Sequence, residues 1–255
     1  MTAAADRGIS KHLNADAGLI RVVAMVTMLI DHIGVVFLPG VPELRVIGRI
    51  AFPLFCWGIV TGFERTRSWP RYALRLLLIG LVSQPFYMLA LNHRISEFNV
   101  MATLLLGLLA IAGMRERWWG SHIWAPLLCL ALAAMQPMDY GWRGVLLIIL
   151  MYLARRSAGG LAALMVAFCL YWGSGSSEVV RLFGLRIKPE LAVGTPLYAV
   201  VGMAFSMMRL QSLAILSLPF MLCRTNTGIR VPRWLAYGMY PGHLLLLWLL
   251  HMAIG

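Results

Sequence analysis

The stretch GLIRVVAMVTMLIDHIGVVFLPG, residues 18–40, is long and apolar enough to form a helix across a bilayer, which takes about 20 such residues. It nevertheless contains Arg21, Asp31 and His32. A charged side chain at the centre of a membrane costs about 3 kcal/mol or more, so it is usually paired or lines a polar cavity. This segment therefore predicts a first membrane span that also carries part of a functional site.

The rest of the chain has the same apolar character. Of its 255 residues, 60% are hydrophobic and only 13% are charged, whereas soluble domains carry about 25% charged residues. Soluble enzymes, secreted disulfide scaffolds and disordered tails are excluded. The predicted fold class is all-α: a polytopic integral membrane helical bundle with about nine or ten transmembrane helices, as judged from length.

The apolar runs divide the chain into an N-terminal segment, 1–18, and a single membrane domain, 19–255. Spans are expected at 19–38, 46–63, 72–91, 98–114, 121–136, 140–154, 160–173, 191–208 and 234–254. A further stretch, 212–223, is short and contains Pro219. It is interpreted as a half-helix, a re-entrant piece or the end of a kinked helix, and whether it crosses the membrane stays open.

Positive charge predicts the orientation. The formal net charge is +12, which in a membrane protein indicates arginine-rich cytoplasmic loops facing anionic lipid rather than nucleic acid. Arginines cluster at 65–71, 115–117 and 155–156, which are alternate loops between the expected spans. We therefore expect a multi-pass membrane protein whose N-terminus is cytoplasmic and carries no cleaved signal peptide.

Arg21 and His32 are eleven positions apart in the first span. Eleven residues make three turns plus about 20°, so the two share one helix face about 16 Å apart along the axis. This spacing predicts an anion-binding group at the cytoplasmic entrance, in line with a titratable imidazole deeper in the bundle. Arg21 equally fits an interfacial arginine that reaches for the lipid headgroups.

Asp31 allows two interpretations. As the neighbour of His32 it can fix the tautomer of a general base, which makes both of them candidate catalytic residues. Adjacent residues of a helix point about 100° apart, however, so Asp31 can instead pair with an arginine on another helix. Arg49 of the second span is expected at a similar depth and is the predicted partner. It is also a candidate for positioning an acyl oxygen or an acceptor carboxylate.

The last span contains His243 directly after Pro241 and Gly242. Because a proline inside a helix frees backbone groups, His243 is a further catalytic candidate, against the alternative of a hydrogen-bonded core histidine. No GxGxxG, P-loop, HExxH or CxxC pattern occurs in the chain. Nucleotide hydrolysis, structural zinc and dithiol redox chemistry are unsupported, and no metal site is expected.

Five blocks of the sequence resemble the TraX family, which includes the TrbP proteins of conjugative plasmids. These blocks are residues 20–40, 44–66, 99–111, 139–155 and 237–247. Within them LIDHIG (29–34) and GRIAFPLF (48–55) are specific to the family. The resemblance is weakest over roughly 174–235.

The resemblance implies an acetyltransferase of the bacterial inner membrane, which acetylates the N-terminus of a pilin subunit with cytoplasmic acetyl-CoA as the donor. It also implies kinship with membrane-bound acyltransferases in which a cationic residue and a histidine, eleven positions apart in the first span, are functional. Arg21 and His32 match that spacing. TraX-like first spans often carry lysine in place of Arg21, so the implied role is cationic.

In the resulting hypothesis, His32 deprotonates the acceptor while Asp31 orients it, and His243 is a second acid/base or helps to bind the acceptor. Arg21, Arg49, Arg65 and Arg67 are donor-binding candidates. Arg49 can also contact the developing oxyanion or steady Asp31. Direct transfer and a covalent acetyl-histidine both stay open. The rival hypotheses are a non-enzymatic assembly factor that binds pilin and a small-molecule transporter. Homo-oligomerisation is a further open expectation.

Overall fold

In the computed structural model, residues 8–179, 181–183, 185–186 and 209–254 are described. The α-helices are α1 (Ala17–Val36), α2 (Pro42–Gly48), α3 (Ala51–Arg65), α4 (Trp69–Leu91), α5 (Val100–Glu116), α6 (Ser121–Met135), α7 (Gly141–Ala154), α8 (Ala158–Gly173), α9 (Leu218–Leu222) and α10 (Arg233–Ile254). Short 3-10 helices lie at Trp118–Gly120 and Ser212–Ser217. Two short strands, β1 (Arg181–Leu182) and β2 (Leu185–Arg186), pair antiparallel.

The prediction of a helical membrane bundle is confirmed. Four described segments are long and apolar enough to cross a membrane by length and composition: Ala17–Val36, Pro42–Arg65, Trp69–Leu91 and Trp118–Met135. Helices α7 and α8 are apolar but shorter. The expected span 191–208 lies outside the described residues. The total of nine or ten crossings stays a prediction.

The second expected span, 46–63, is divided in two. Helix α2 ends at Gly48 and α3 begins at Ala51, with a turn at Arg49 and Ile50. The cause is Pro53, because its nitrogen carries no hydrogen and cannot bond to the carbonyl of Arg49 four residues earlier. The break places Arg49 directly after the C-terminal end of α2, where its Nε donates to the carbonyl of Arg45 at 3.2 Å.

The stretch 212–223 forms a 3-10 helix followed by the short helix α9. Together these elements form one short apolar helical segment, Ser212–Leu222. It is shorter than the roughly 20 residues that a membrane crossing takes. Of the alternatives left open by the sequence, the half-helix agrees with this geometry.

Helix α3 is the centre of the bundle. Its Leu54, Trp57 and Phe63 side chains are fully buried, and α3 packs against α1, α5 and α7. Helix α4, by contrast, exposes a row of leucines, including Leu74, Leu78 and Leu81. Because an exposed apolar row this long is unstable in water, this face of α4 is suited to contact lipid.

Both the segment before α1 and the last described helix pack beside other parts of the bundle. The last helix, α10, packs against α4 and α1. Before α1, the side chain of Asn14 is fully buried and its Nδ2 donates to the carbonyl of Phe220 at 2.8 Å. The indole Nε1 of Trp57 donates to the carbonyl of Asn14, also at 2.8 Å. The N-terminal segment is thus part of the packed structure from about residue 9 onwards, since Ile9 is buried.

Candidate functional site

Two candidate residues from opposite ends of the sequence are in direct contact. Nδ1 of His32, near the end of α1, lies 2.7 Å from Nε2 of His243 in α10. The ring planes differ by only 10°, with 5.0 Å between the centroids. His243 is buried, and its second nitrogen, Nδ1, lies 2.7 Å from the carbonyl oxygen of Met239.

This chain of contacts assigns the protons of the two neutral rings. A carbonyl oxygen only accepts, so Nδ1 of His243 carries a hydrogen and donates it to Met239. Nε2 of His243 is then the acceptor, and Nδ1 of His32 is the donor. A neutral imidazole carries one N–H, so Nε2 of His32 is left with a free lone pair. This nitrogen has the property that a general base needs.

Asp31 forms a buried ion pair with two arginines. Both of its carboxylate oxygens accept from Nη2 of Arg49, at 2.8 and 2.9 Å. Nη1 of Arg45 donates to Oδ2 at 2.9 Å. Both Asp31 and Arg49 are buried, and Arg49 also donates to Oε1 of Gln211 at 3.2 Å. The predicted pairing of Asp31 with Arg49 is present.

The expectation that Asp31 orients His32 is not met. Among the described contacts, His32 is held by His243, whereas the Asp31 carboxylate is engaged by Arg45 and Arg49. The reason is the angle of about 100° between adjacent side chains of a helix, which directs the two residues toward different neighbours. Asp31 therefore ties α1 to the break between α2 and α3 and contributes to the site by fixing the position of α1.

Asp31 and His32 both line one small cavity of about 30 Å³, here called the histidine cavity. Its other walls are formed by Met28, Gly48, Ala51, Phe52, Phe55, Val100, Asp139, Tyr140 and Tyr240. Since one water needs about 10–15 Å³ of such space, the cavity holds about two small groups. Asp139 and Tyr240 are site residues that the sequence alone does not predict.

A larger cavity of about 330 Å³ lies nearer the start of α1. This arginine cavity is lined by Arg21, Arg65 and Arg75 and by the rings of Tyr72 and Tyr237, together with apolar side chains. Nη1 of Arg75 donates to the hydroxyl of Tyr237 at 3.4 Å. The predicted grouping of Arg21 with Arg65 is therefore present in the structure, and Arg75 is an addition.

Two other arginines are placed differently. Arg67 is exposed and is absent from the lining of the arginine cavity. Arg49 does not line the arginine cavity. Its guanidinium donates hydrogen bonds to Asp31 and Gln211. The binding of a donor phosphate by Arg49 is disfavoured because its donors already have partners.

The two cavities follow the same two helices. On α1, Arg21 and Met25 line the arginine cavity, and Met28 and His32 line the histidine cavity. On α10, Tyr237 lines the first cavity and Tyr240 the second. Phe55 belongs to both linings and so forms part of the wall between them.

Other polar residues of the spans serve structural roles. Nδ2 of Asn99 donates to Oε1 of Gln84 at 2.9 Å, and Nε2 of Gln84 donates to the carbonyl of Glu97 at 2.7 Å. These bonds join α4 to the start of α5, as expected for interhelical hydrogen bonding. Within the described ranges, no group of three or more His, Cys, Asp or Glu side chains is placed to hold a metal ion.

The fold and the site define a helical membrane protein in which a histidine pair lies beside a small cavity, with a cation-lined cavity at the other end. The chain belongs to the TraX family: the family model described as "TraX protein" matches residues 16–251.

Two relatives show the extent of the similarity. The chain is 31% identical over 178 residues to a "Probable fimbrial assembly protein FimC, serogroup H1" of Dichelobacter nodosus, a match that covers 64% of this chain and 72% of that protein. It is 26% identical over 149 residues to an uncharacterised protein of Rickettsia prowazekii (strain Madrid E), covering 56% of this chain and 57% of that protein. No solved structure matches the chain significantly.

Proposed function

We propose that this protein is an acetyltransferase of the bacterial inner membrane, which moves an acetyl group from cytoplasmic acetyl-CoA to the N-terminal amine of a pilin subunit. Membership of the TraX family supports the link to pilin, as does the printed name of the Dichelobacter relative. The observation that carries the chemical part is the free lone pair on Nε2 of His32, because His243 occupies the other nitrogen.

The donor enters through the arginine cavity. Arg21, Arg65 and Arg75 offer guanidinium groups that suit the phosphates of a nucleotide, since arginine binds phosphate through paired hydrogen bonds. A cavity of about 330 Å³ is at the lower limit for ligand pockets, so it accommodates the pantetheine arm while the nucleotide stays at the mouth. The axial distance of about 16 Å from Arg21 to His32 is of the order of an extended pantetheine arm.

The reaction takes place at the histidine cavity. The acceptor amine attacks the thioester carbonyl, so a C–N bond forms as the C–S bond breaks. Nε2 of His32 takes the proton of the attacking nitrogen and passes it to the leaving thiolate, which departs as free CoA. General base catalysis of this kind contributes about 10²–10⁴ in rate. Asp31, Arg45 and Arg49 hold the end of α1 in place during the transfer.

The second candidate function is a pilin-binding assembly factor without catalytic activity. The printed name of the Dichelobacter relative favours it, because that protein is described only by fimbrial assembly. In this role the two cavities would be packing defects. The direction of the hydrogen bond between His32 and His243 would then have no chemical consequence. Acetyl transfer distinguishes the two functions.

The test is the intact mass of a candidate pilin from the same bacterium, co-expressed with this protein. The comparison uses wild type, His32→Ala and His122→Ala, which removes an exposed histidine of α6 outside both cavities. We expect one added acetyl group with wild type and His122→Ala and none with His32→Ala.

The other outcomes separate the parts of the proposal. Acetylation by all three would keep the enzyme and remove His32 from the essential role. An unmodified pilin in every sample, together with no thermal stabilisation of the purified protein by acetyl-CoA, would favour the assembly factor.

A further inference from the structure

Asp139 lies in the turn between α6 and α7 and lines the histidine cavity together with His32. The turn has an unusual backbone. Tyr140 has a φ of 64° and Gly141 a φ of 49°. A positive φ is easy for glycine but costs energy for a bulky residue such as tyrosine. Strain of this kind persists only where surrounding contacts impose it.

Several contacts impose the conformation of this turn. The backbone N–H of Asp139 donates to the carbonyl of Phe98 at 2.9 Å, and the hydroxyl of Thr103 donates to the carbonyl of Asp139. The ring of Tyr140 is stacked on Phe52 with 3.6 Å between the centroids. Gly144 packs closely against the same phenylalanine: a Cβ added there would lie 2.7 Å from the Phe52 ring. The backbone of Asp139 is therefore held in a fixed place, and the backbone N–H of Tyr140 donates to its carboxylate.

That carboxylate lacks a side-chain partner among the described residues, unlike the Asp31 carboxylate that lines the same cavity. Arg49 attracts it from a distance, but the guanidinium of Arg49 is bonded to Asp31. Burial raises the pKa of Asp139 to about 6, an effect that Arg49 and His93 oppose and the charge of Asp31 increases. Asp139 is thus an acid that lines the same cavity as His32 and has an unused capacity to bind a cation.

We propose that Asp139 binds the ammonium group of the acceptor, which makes the histidine cavity selective for primary amines over hydroxyl acceptors. This inference rests on the proposed function and names its acceptor-binding residue. An ammonium must lose one proton before its nitrogen can attack, and the Asp139 carboxylate takes that proton and releases it to solvent. His32 takes the second proton, from the attacking nitrogen. The acetyl group, CoA and both protons are then accounted for.

The test measures binding without chemistry, so it does not depend on acetyl transfer. The purified full chain in lipid nanodiscs is titrated with a synthetic apolar peptide that has a free N-terminus. The same peptide without its α-amino group, carrying hydrogen in its place, is the matched ligand. The proteins are wild type, Asp139→Asn and Glu97→Gln, a matched carboxylate-to-amide change at a loop residue outside the cavity.

We expect wild type and Glu97→Gln to bind the free-amine peptide at least ten-fold more tightly than the des-amino peptide. In Asp139→Asn the two affinities should become equal while the affinity for the des-amino peptide is unchanged. A preference that survives in Asp139→Asn, or a wild type that binds neither peptide or both equally, overturns the inference. Loss of acetyl transfer with the binding preference intact would instead count against the proposed function alone.

Discussion

Nδ1 of His32 lies 2.7 Å from Nε2 of His243, although 211 positions separate the two residues in the sequence. The contact joins the first helix to the last, and the carbonyl of Met239 fixes its direction. Because these contacts fix the proton of His32 on Nδ1, they select the tautomer in which Nε2 carries the lone pair.

Replacement of either histidine should slow acetyl transfer to a different degree. His32→Ala removes the base, and we expect a loss of about 10²–10⁴ in kcat. His243→Phe keeps a ring but removes the acceptor of the His32 N–H, so we expect a smaller loss of up to about ten-fold, since one hydrogen bond contributes about 0.5–1.5 kcal/mol. Both should leave the KM for acetyl-CoA unchanged in a steady-state assay. Equal kcat values for His243→Phe and wild type would contradict the supporting role of the hydrogen bond from His32 to His243.

Asp31→Asn should destabilise the protein. Removing one member of a buried ion pair leaves the other charge uncompensated, at a cost of about 3–5 kcal/mol, and both Asp31 and Arg49 are buried. The measurement is the unfolding midpoint of the purified protein in detergent. Glu97→Gln is the comparison, because its pair with His93 is more than one-third exposed on both sides and such pairs contribute at most about 1 kcal/mol. A similar midpoint for both variants would contradict the importance of the buried pair.

Gly48→Ala should disturb the same ion pair from the other side. A Cβ at position 48 would lie 2.1 Å from Oδ1 of Asp31, so the carboxylate or the break between α2 and α3 must move. We expect a destabilisation of about 1–3 kcal/mol, as for an overpacked core. Gly159→Ala is the control, since a Cβ there meets nothing within 4 Å. The control should be neutral or slightly stabilising, and a neutral Gly48→Ala would rule out the close approach.

Phe55→Ala should widen the range of acyl donors. Phe55 lines both cavities, and its truncation would merge the histidine cavity of about 30 Å³ with the larger one. The measured quantity is the ratio of transfer rates from butyryl-CoA and acetyl-CoA, because a ratio is insensitive to the amount of folded enzyme. We expect this ratio to rise at least ten-fold. Phe37→Ala, at a residue in neither lining, should leave the ratio unchanged, and an unchanged ratio in Phe55→Ala would place chain-length selection elsewhere.

Asp139→Asn should stabilise the protein at neutral pH while it weakens function. The pKa of Asp139 rises from 3.8 to about 6 on folding, so between these values the folded state binds more protons than the unfolded state. Stability then falls as the pH rises from about 4 to about 6, and the full cost is present at pH 7. Removing the carboxyl should recover about 1–3 kcal/mol at pH 7 and nothing below about pH 4. The check is the unfolding midpoint across this pH range. A variant less stable than wild type at pH 7 would contradict the expectation that the Asp139 carboxyl destabilises the folded protein.

The apolar pattern predicted most of the helices closely. The expected spans at 72–91, 121–136 and 234–254 correspond to α4, α6 and α10 within about three residues at each end, because long apolar periodicity is a strong signal. The break at Arg49 and Ile50 was missed, although Pro53 was its local sign. Hydropathy averages over such a break and does not register it.

The candidate site was predicted in part. Arg21, Asp31 and His32 stood out because charged residues are rare in apolar helices, and the pairing of Asp31 with Arg49 followed from their expected depth. The contact of His32 with His243 depends on which helices pack together. The spacing of residues along one helix does not contain that information. Asp139 is interpreted from the sequence as part of an ordinary polar start of a helix, because such residues often form interhelical hydrogen bonds. Only the structure shows that it lines the histidine cavity.

The joining of the first helix to the last has a consequence for the synthesis of the protein. At a bacterial rate of about 5–20 residues per second, translation of the 211 positions between His32 and His243 takes about 10–40 seconds. During that interval His32 is in the membrane without its partner, and a chain released early by a stalled ribosome has no assembled histidine pair. The histidine pair therefore forms only after α10 has been made, so a copy truncated before that helix inserts into the membrane without it.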